Sequence, residues 1–277
     1  MLVAGSASAS TTYTFDFGGN AGISTNGTGA QSTGTTSVGG SFSFFDTTHT
    51  VSVTETAFWM SNSSANSTTN GAFTGSTGGT ASVGSYGAGY GLGVCNPAEI
   101  SAASGNLDCS TNSTNNGSHQ VDNANGVDFI LLKFSTPVSL AGLTNNLGLV
   151  HVSGIGTSTT NDADITWWTP ASNITSSTHF NDLGTGTDVN TSSANCSDCL
   201  VTDTVAGSSL TNVTYLLIAA SASNMDGKTD AFKLNALTVG TVGVGTTGTT
   251  PEPASMAMMG SGLLACAVIL RRRMSRK

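Results

Sequence analysis

The sequence predicts an all-β protein: an antiparallel β-sandwich of jelly-roll type with long Gly/Ser/Thr/Asn-rich loops, followed by a C-terminal apolar helix. Three observations carry this. Gly, Ser, Thr and Asn make up about half of the 277 residues, while charged residues are only 9% and hydrophobic ones 38%. Good helix formers are therefore scarce, and the Thr, Val, Phe and Ile present favour strands. Short apolar or alternating segments recur between Gly- and Asn-rich breaks, the signature of strands joined by loops. No segment sustains the apolar period of three to four residues that marks an amphipathic helix. The chain is apolar enough for a core and too weakly charged for the usual disordered composition. Five prolines and no three-residue glycine period exclude collagen.

The strands follow in order. Residues 13–17 alternate around Phe15 and Phe17, and residues 50–54 alternate around Val51 and Val53 and run on to Phe58 and Trp59. Residues 128–134 form a continuous apolar run of the buried type, and 147–152 and 163–168 are two more. Residues 213–220 are the most apolar, and 232–239 alternate again and close the body. Residues 18–40 and 61–93 are poor in apolar side chains and are expected as long loops or decoration. No fixed-period repeat divides the body, so residues 10–239 are expected to be one sandwich domain.

Charge is distributed unevenly. The last seven residues hold Arg271, Arg272, Arg273, Arg276 and Lys277, whereas the body holds only Lys133, Lys228 and Lys233 against fifteen acids. An acidic surface without arginine repels a phosphate backbone, whose binding depends on Lys and Arg releasing counterions. Nucleic-acid binding and Arg-clamped phosphoryl chemistry are excluded on that basis. The same composition fits an exported protein.

Both ends read as addresses. Ala7-Ser8-Ala9 is a small-x-small signal-peptidase pattern, so residues 1–9 are expected to be the remnant of a signal peptide. At the other end a Gly/Thr linker, 240–250, leads to a sorting signal over 251–277. It consists of Pro251-Glu252-Pro253, an apolar stretch of 17 residues over 254–270, and a basic tail over 271–277. Seventeen residues is the short end for a membrane span, and the arginines would keep the tail cytoplasmic. An ordinary C-terminal anchor is one reading of this tail. Its order and spacing also resemble the PEP-CTERM sorting signal of Gram-negative bacteria. That resemblance implies recognition near Pro251-Glu252-Pro253 by exosortase, a membrane cysteine protease-transpeptidase. It further implies a transient inner-membrane anchor, removed on processing as in other proteins that lose a C-terminal signal.

A second resemblance runs through residues 91–239. Gly91-Leu92-Gly93-Val94-Cys95, Cys109, His119-Gln120-Val121-Asp122-Asn123, Asp128-Phe129-Ile130-Leu131 and Phe134-Ser135-Thr136-Pro137-Val138-Ser139-Leu140 follow one another in this order. Asp162-Ala163-Asp164-Ile165-Thr166-Trp167 and Asp230-Ala231-Phe232-Lys233-Leu234-Asn235-Ala236-Leu237 continue the series. Together they are similar to one subfamily of exosortase-dependent surface proteins. These motifs are chemically plain and bring no catalytic residue with them.

The residues with reactive chemistry are few. Cys266 lies in the apolar tail, leaving Cys95, Cys109, Cys196 and Cys199 for an oxidising compartment where disulfides persist. Four cysteines allow three pairings. Local closure favours Cys95–Cys109 and Cys196–Cys199, the first closing a loop of about 15 residues worth roughly 3 kcal/mol. Zinc is a poor rival, because Cys196-x-x-Cys199 has no second such pair and no histidine at finger spacing. No Gly-x-Ser-x-Gly elbow is present, and the body's only glutamates are Glu55 and Glu99, a thin basis for a glycosidase pair. The chain is accordingly expected not to be an enzyme, a secreted hydrolase being the least favoured class.

No cofactor is required, and calcium is the ligand that best suits what remains. Asn224, Asp226 and Asp230 form an acid-rich turn before the last strand, and Asp162 with Asp164 and Asp122 with Asp128 are further pairs. Hard cations take several such oxygen ligands, although Asp and Asn also cap turns through their own backbone. Trp167 and Trp168 are adjacent on a strand and must point to opposite faces. One belongs in the core, and the other is either covered or offers a sugar-stacking platform. The resulting expectation is a non-catalytic surface or extracellular-matrix protein, sorted by exosortase and acting within exopolysaccharide or a biofilm. The alternative is a calcium-assisted carbohydrate-binding module.

Overall fold

The computed structural model describes residues 11–18, 23–24, 37–39, 41–61, 71–73, 81–85, 89–96, 120–123, 126–151, 163–189, 199–205, 207, 210–221 and 230–242. The chain from Ala9 to Val242 clusters as one compact unit. The helix expected over 254–270 lies outside the described residues.

Every pairing among the described strands is antiparallel, and all join one open sheet. Two long strands organise it. The first is β9 (Val127–Ser139), flanked by β14 (Val213–Ala220) on one side and β5 (Ser52–Met60) on the other. Beyond β14 lie β11 (Ile165–Trp168) and β12 (Thr187–Val189), and beyond β5 lie β4 (Ser41–Phe45) and β2 (Ile23–Ser24). The second is β15 (Ala231–Thr241). On one side it carries β10 (Leu147–His151), backed by β13 (Cys199–Asp203). On the other it carries β1 (Thr12–Asp16), β7 (Leu92–Cys95) and β8 (Val121–Asp122). Outside β7 follow β6 (Ser82–Ser85) and β3 (Ser37–Gly39). The two ladders meet where Val138 and Ser139 of β9 pair with Thr241 and Gly240 of β15.

Side-chain alternation along β9 explains its continuous apolar run. Ile130, Leu132 and Phe134 enter one core cluster, and Val127, Phe129 and Leu131 enter another. The first cluster draws on both ladders, with Phe15, Leu92, Leu234 and Leu237 from around β15 and Ile165 and Leu216 from around β9. The second lies on the other face of the β9 ladder. Phe73 and Ile174 cover it, with Phe180 and Leu183 of a short 3-10 turn (Phe180–Leu183) packed alongside. Ring edges meet ring faces there, as in the Phe73–Phe129 pair at 4.9 Å and 70°.

The all-β, antiparallel expectation holds. The segments expected as loops need correction, because 18–40 and 61–93 contain β2, β3, β6 and the start of β7. These strands are short and rich in Gly and Ser. They form by pairing with neighbours rather than through an apolar pattern of their own. Gly91 shows why one glycine is needed there. Its φ is 97°, and a Cβ would lie 2.1 Å from the Leu234 carbonyl oxygen.

The sheet has two unlike ends. Around Gly240 and Thr241 gather the start of β1, the end of β9, the turn at 140–146 and residues 204–205 and 210–212. Thr241 N–H donates to Thr11 O at 2.8 Å, Leu140 N–H to Leu210 O at 2.8 Å and Thr238 N–H to Asn146 O at 2.7 Å. Around Ala231, at the other end of β15, gather the ends of β8, β10 and β14 and the starts of β9, β11 and β13.

Candidate functional site

Four of the six acids singled out in the sequence converge at the Ala231 end, and Asp162 and Asp226 lie outside the described residues. Asp122, Asp128, Asp164 and Asp230 are all buried, together with Asn96 and Ser221. The amide of Asn123 stitches the site together. Its Nδ2 donates to Asp230 Oδ2 at 2.6 Å and to Ser221 O at 3.0 Å, while its Oδ1 accepts from Asp230 N–H at 3.0 Å. Ser221 N–H reaches Asp164 O at 3.0 Å, which brings β11 and β14 into the same corner. Asp128 accepts from Asn96 Nδ2 at 2.9 Å and from Asp122 N–H at 3.4 Å. Amide donors to a buried carboxylate replace the water it has lost.

Asp230, proposed from sequence as a calcium ligand, is thus held by the Asn123 side chain. Asn224 and Asp226 lie outside the described residues. Among the described residues no three His, Cys, Asp or Glu side chains come close enough to hold a metal ion. The Asp230–Asn123 contact ties together segments 107 residues apart and is not a local turn cap.

Trp167 and Trp168 point to opposite faces as alternation requires, and both are buried, at 5% and 3% exposure. Trp167 joins the core shared by the two ladders, and Trp168 joins the second cluster under Phe180, with ring centroids 6.1 Å apart. Neither offers an open face, so the sugar-stacking platform expected of one of them is corrected. The 3-10 turn that follows in the chain covers Trp168 with Phe180. A shallow hollow of about 240 Å³ lies nearby, lined by residues such as Pro170, Asn212 and Tyr215. No Trp is among its lining residues.

Cys95 is buried at the end of β7, and Cys199 begins β13. Cys109 and Cys196 lie outside the described residues, as do Pro251, Glu252 and Pro253 of the sorting segment. The register bears on the choice among three pairings. Cys199 sits opposite His151, which sits opposite Phe232 of β15, and β7 lies on the far side of β15. Three strand spacings of about 4.8 Å separate Cys95 from Cys199, well beyond the Cα limit of about 7 Å for a disulfide.

Two carboxyls raised by burial escaped the sequence reading as features of the fold. Glu55 is fully buried on β5 between Phe42 and Leu132, and neither carboxyl oxygen has a hydrogen-bond partner. Burial pushes it well above the ordinary glutamate range. The signal was present in the period-two series Val51, Val53, Glu55, Ala57, which puts Glu55 on the core face. Asp203 is also raised by burial, against a hydrogen bond from Thr204 N–H at 2.6 Å.

These features describe an all-β body whose buried polar residues hold the described structure together. Its class is fixed at the other end of the chain. Residues 249–273 match the PEP-CTERM protein-sorting motif, as the tripartite tail resembled. That match implies an exported, surface-sorted chain handled by exosortase, a membrane enzyme. No curated protein and no solved structure matches the chain.

Proposed function

We propose that this chain is a non-catalytic surface or extracellular-matrix protein that is sorted by exosortase and acts within exopolysaccharide or a biofilm. The match at residues 249–273 carries the proposal. The body supports it indirectly: Glu55 and Trp167, the groups best suited to chemistry or sugar stacking, are closed inside the core. We also propose that the two ladders stack as a β-sandwich, on the strength of the core they share. The disulfides proposed are Cys95–Cys109 and Cys196–Cys199. In support, the register keeps Cys95 and Cys199 from bonding to each other.

The carbohydrate-module alternative has lost its aromatic platform and is not pursued. Expression of the full chain in hosts with and without exosortase tests the proposal. The expected result is a smaller product, free of the membrane span, only where the enzyme is present. The same size and the same membrane retention in both hosts would refute sorting.

A further inference from the structure

The second core cluster covers only part of its face of the β9 ladder. Phe73 and Ile174 lie over the Phe129 end of that face. At the level of Lys133 a row of polar side chains crosses four strands. Ser43 of β4 pairs with Thr54 of β5, Thr54 with Lys133 of β9, and Lys133 with Tyr215 of β14. Directly opposed residues share a face. Lys133 is two residues on from Leu131, so the row lies on the same face as the cluster. It spans three strand spacings, about 14 Å. The Ser43 and Thr54 hydroxyls stand 3.1 Å apart. Ser43, Thr54 and Tyr215 are half-buried, and Lys133 is exposed.

The row runs into the hollow of about 240 Å³, because Tyr215 belongs to both. The hollow sits where the ladder is interrupted. Val213 pairs with Val138 and Tyr215 with Lys133, so residues 134–137 of β9 stand against Thr214 alone. Ser135, Thr136 and Pro137 are exposed in this excursion, and Pro137 has no N–H to return to the ladder. Breaks of this kind re-aim side chains beside binding sites. Thr169, Thr211, Asn212, Thr214 and Tyr215 give the hollow hydroxyls, one amide and one ring, and no carboxylate lines it.

Charge decides what suits this surface. Lys133 is the exposed lysine among the described residues, Lys233 being buried, and it forms no ion pair among them. Glu55 adjoins Thr54 in the chain but is buried on the opposite face. A carboxylate-bearing ligand is repelled by an acidic body and attracted at Lys133. We propose that the row Ser43–Thr54–Lys133–Tyr215 and the hollow at its end bind a segment of acidic polysaccharide. A uronate carboxylate meets the Lys133 ammonium, sugar hydroxyls meet Thr54, Thr214 and Asn212, and the apolar side of one ring lies against Tyr215. The proposal rests on the exopolysaccharide reading and gives it a site and a ligand class. It needs neither calcium nor a tryptophan, and so differs from the module set aside above.

Native electrophoresis of the full chain in a nonionic polyoxyethylene detergent tests this, with polygalacturonate, dextran or polyglutamate cast into the gel. Polygalacturonate should retard the chain, and neutral dextran should not. Lys133→Ala should weaken the retardation about tenfold, the effect of one charge-assisted hydrogen bond. Lys133→Arg should keep most of it. Lys228→Ala, which removes the same charge elsewhere in the sequence, should leave it unchanged. Added salt should weaken it, because an exposed ammonium is screened. An unchanged melting curve for Lys133→Ala separates lost binding from lost folding. Free migration through polygalacturonate overturns the proposal, and so does an equal effect of Lys228→Ala. Retardation that survives in Lys133→Ala overturns this site while leaving the exopolysaccharide reading standing. Equal retardation by polyglutamate identifies an acidic-peptide surface and overturns the saccharide assignment, and equal retardation by dextran overturns the acidic class. Exosortase processing is measured separately, so the sorting reading stands or falls without this result.

Discussion

Asp46 and Glu55 are nine residues apart, both fully buried, and opposite in character. Asp46 follows β4 and starts the turn into β5. Burial would raise its carboxyl, but donors surround it: the Thr48 hydroxyl, and the N–H groups of Val51, Thr48 and Thr50 at 2.6, 2.8 and 2.6 Å. The net result is a carboxyl held below the ordinary range. Glu55 sits mid-strand, where the backbone N–H groups are committed to the ladders, and no donor reaches it. The difference teaches that a turn can solvate a buried charge with its own amides and a strand cannot.

That contrast can be broken from either side. Asp46→Ala should cost the most, about 3 kcal/mol, because several turn N–H groups lose their acceptor at once. Urea unfolding at pH 7 measures it, and a loss below 1 kcal/mol would show that water replaces the carboxylate. Glu55→Leu should act in the opposite direction. It removes an unsatisfied buried carboxyl and fills its space, and should stabilise by about 2 kcal/mol at pH 7. A destabilised variant would mean that Glu55 has a partner after all.

Acidity separates the two groups further. Glu55 keeps its proton in the folded state at pH values where the unfolded chain has lost it. Stability therefore falls as pH rises from about 4.5 through the folded pKa. Asp46 has the reverse sign: its contribution is present above about 3.8 and is lost as pH falls through the lower folded pKa. Melting curves across pH should show Glu55→Gln flattening the alkaline limb while the acid limb is unchanged. A profile identical to that of the unaltered chain removes Glu55 as its cause. The smallest effect is expected from Thr48→Val, which deletes one hydroxyl donor and should cost about 1 kcal/mol. Calorimetry showing no change would assign the Asp46 shift to the backbone amides alone.

Legibility in the sequence followed the same physics. The strands at β5, β9, β14 and β15 were readable because each carries its own apolar series into a core. Strands β3 and β6 were not, since Val38 pairs with Gly84 and Val83 with Gly39, and a glycine contributes no pattern. The opposite facing of Trp167 and Trp168 was readable from alternation. Their burial was not, because the cover over Trp168 comes from Phe180, twelve residues on, in a segment without periodicity. Asp230 was visible as an acid near a turn. Its real partner, Asn123, is 107 residues away, a separation no local pattern reports. The sorting tail was legible because its information is linear: order and spacing along the chain, with no fold needed to assemble it.

Strand β15 is at once the last strand of the body and the one with most neighbours, pairing with β1, β7, β8, β9 and β10. A chain emerging from its N-terminus cannot complete the second ladder until that final segment arrives, and Thr12 must wait for Gly240. Contacts of such long sequence separation make folding slow, because loop closure is opposed by chain entropy before any pairing compensates. Slowness suits a chain that has to be exported. Late closure keeps the chain open for longer after its synthesis begins, which suits the export that the sorting motif implies.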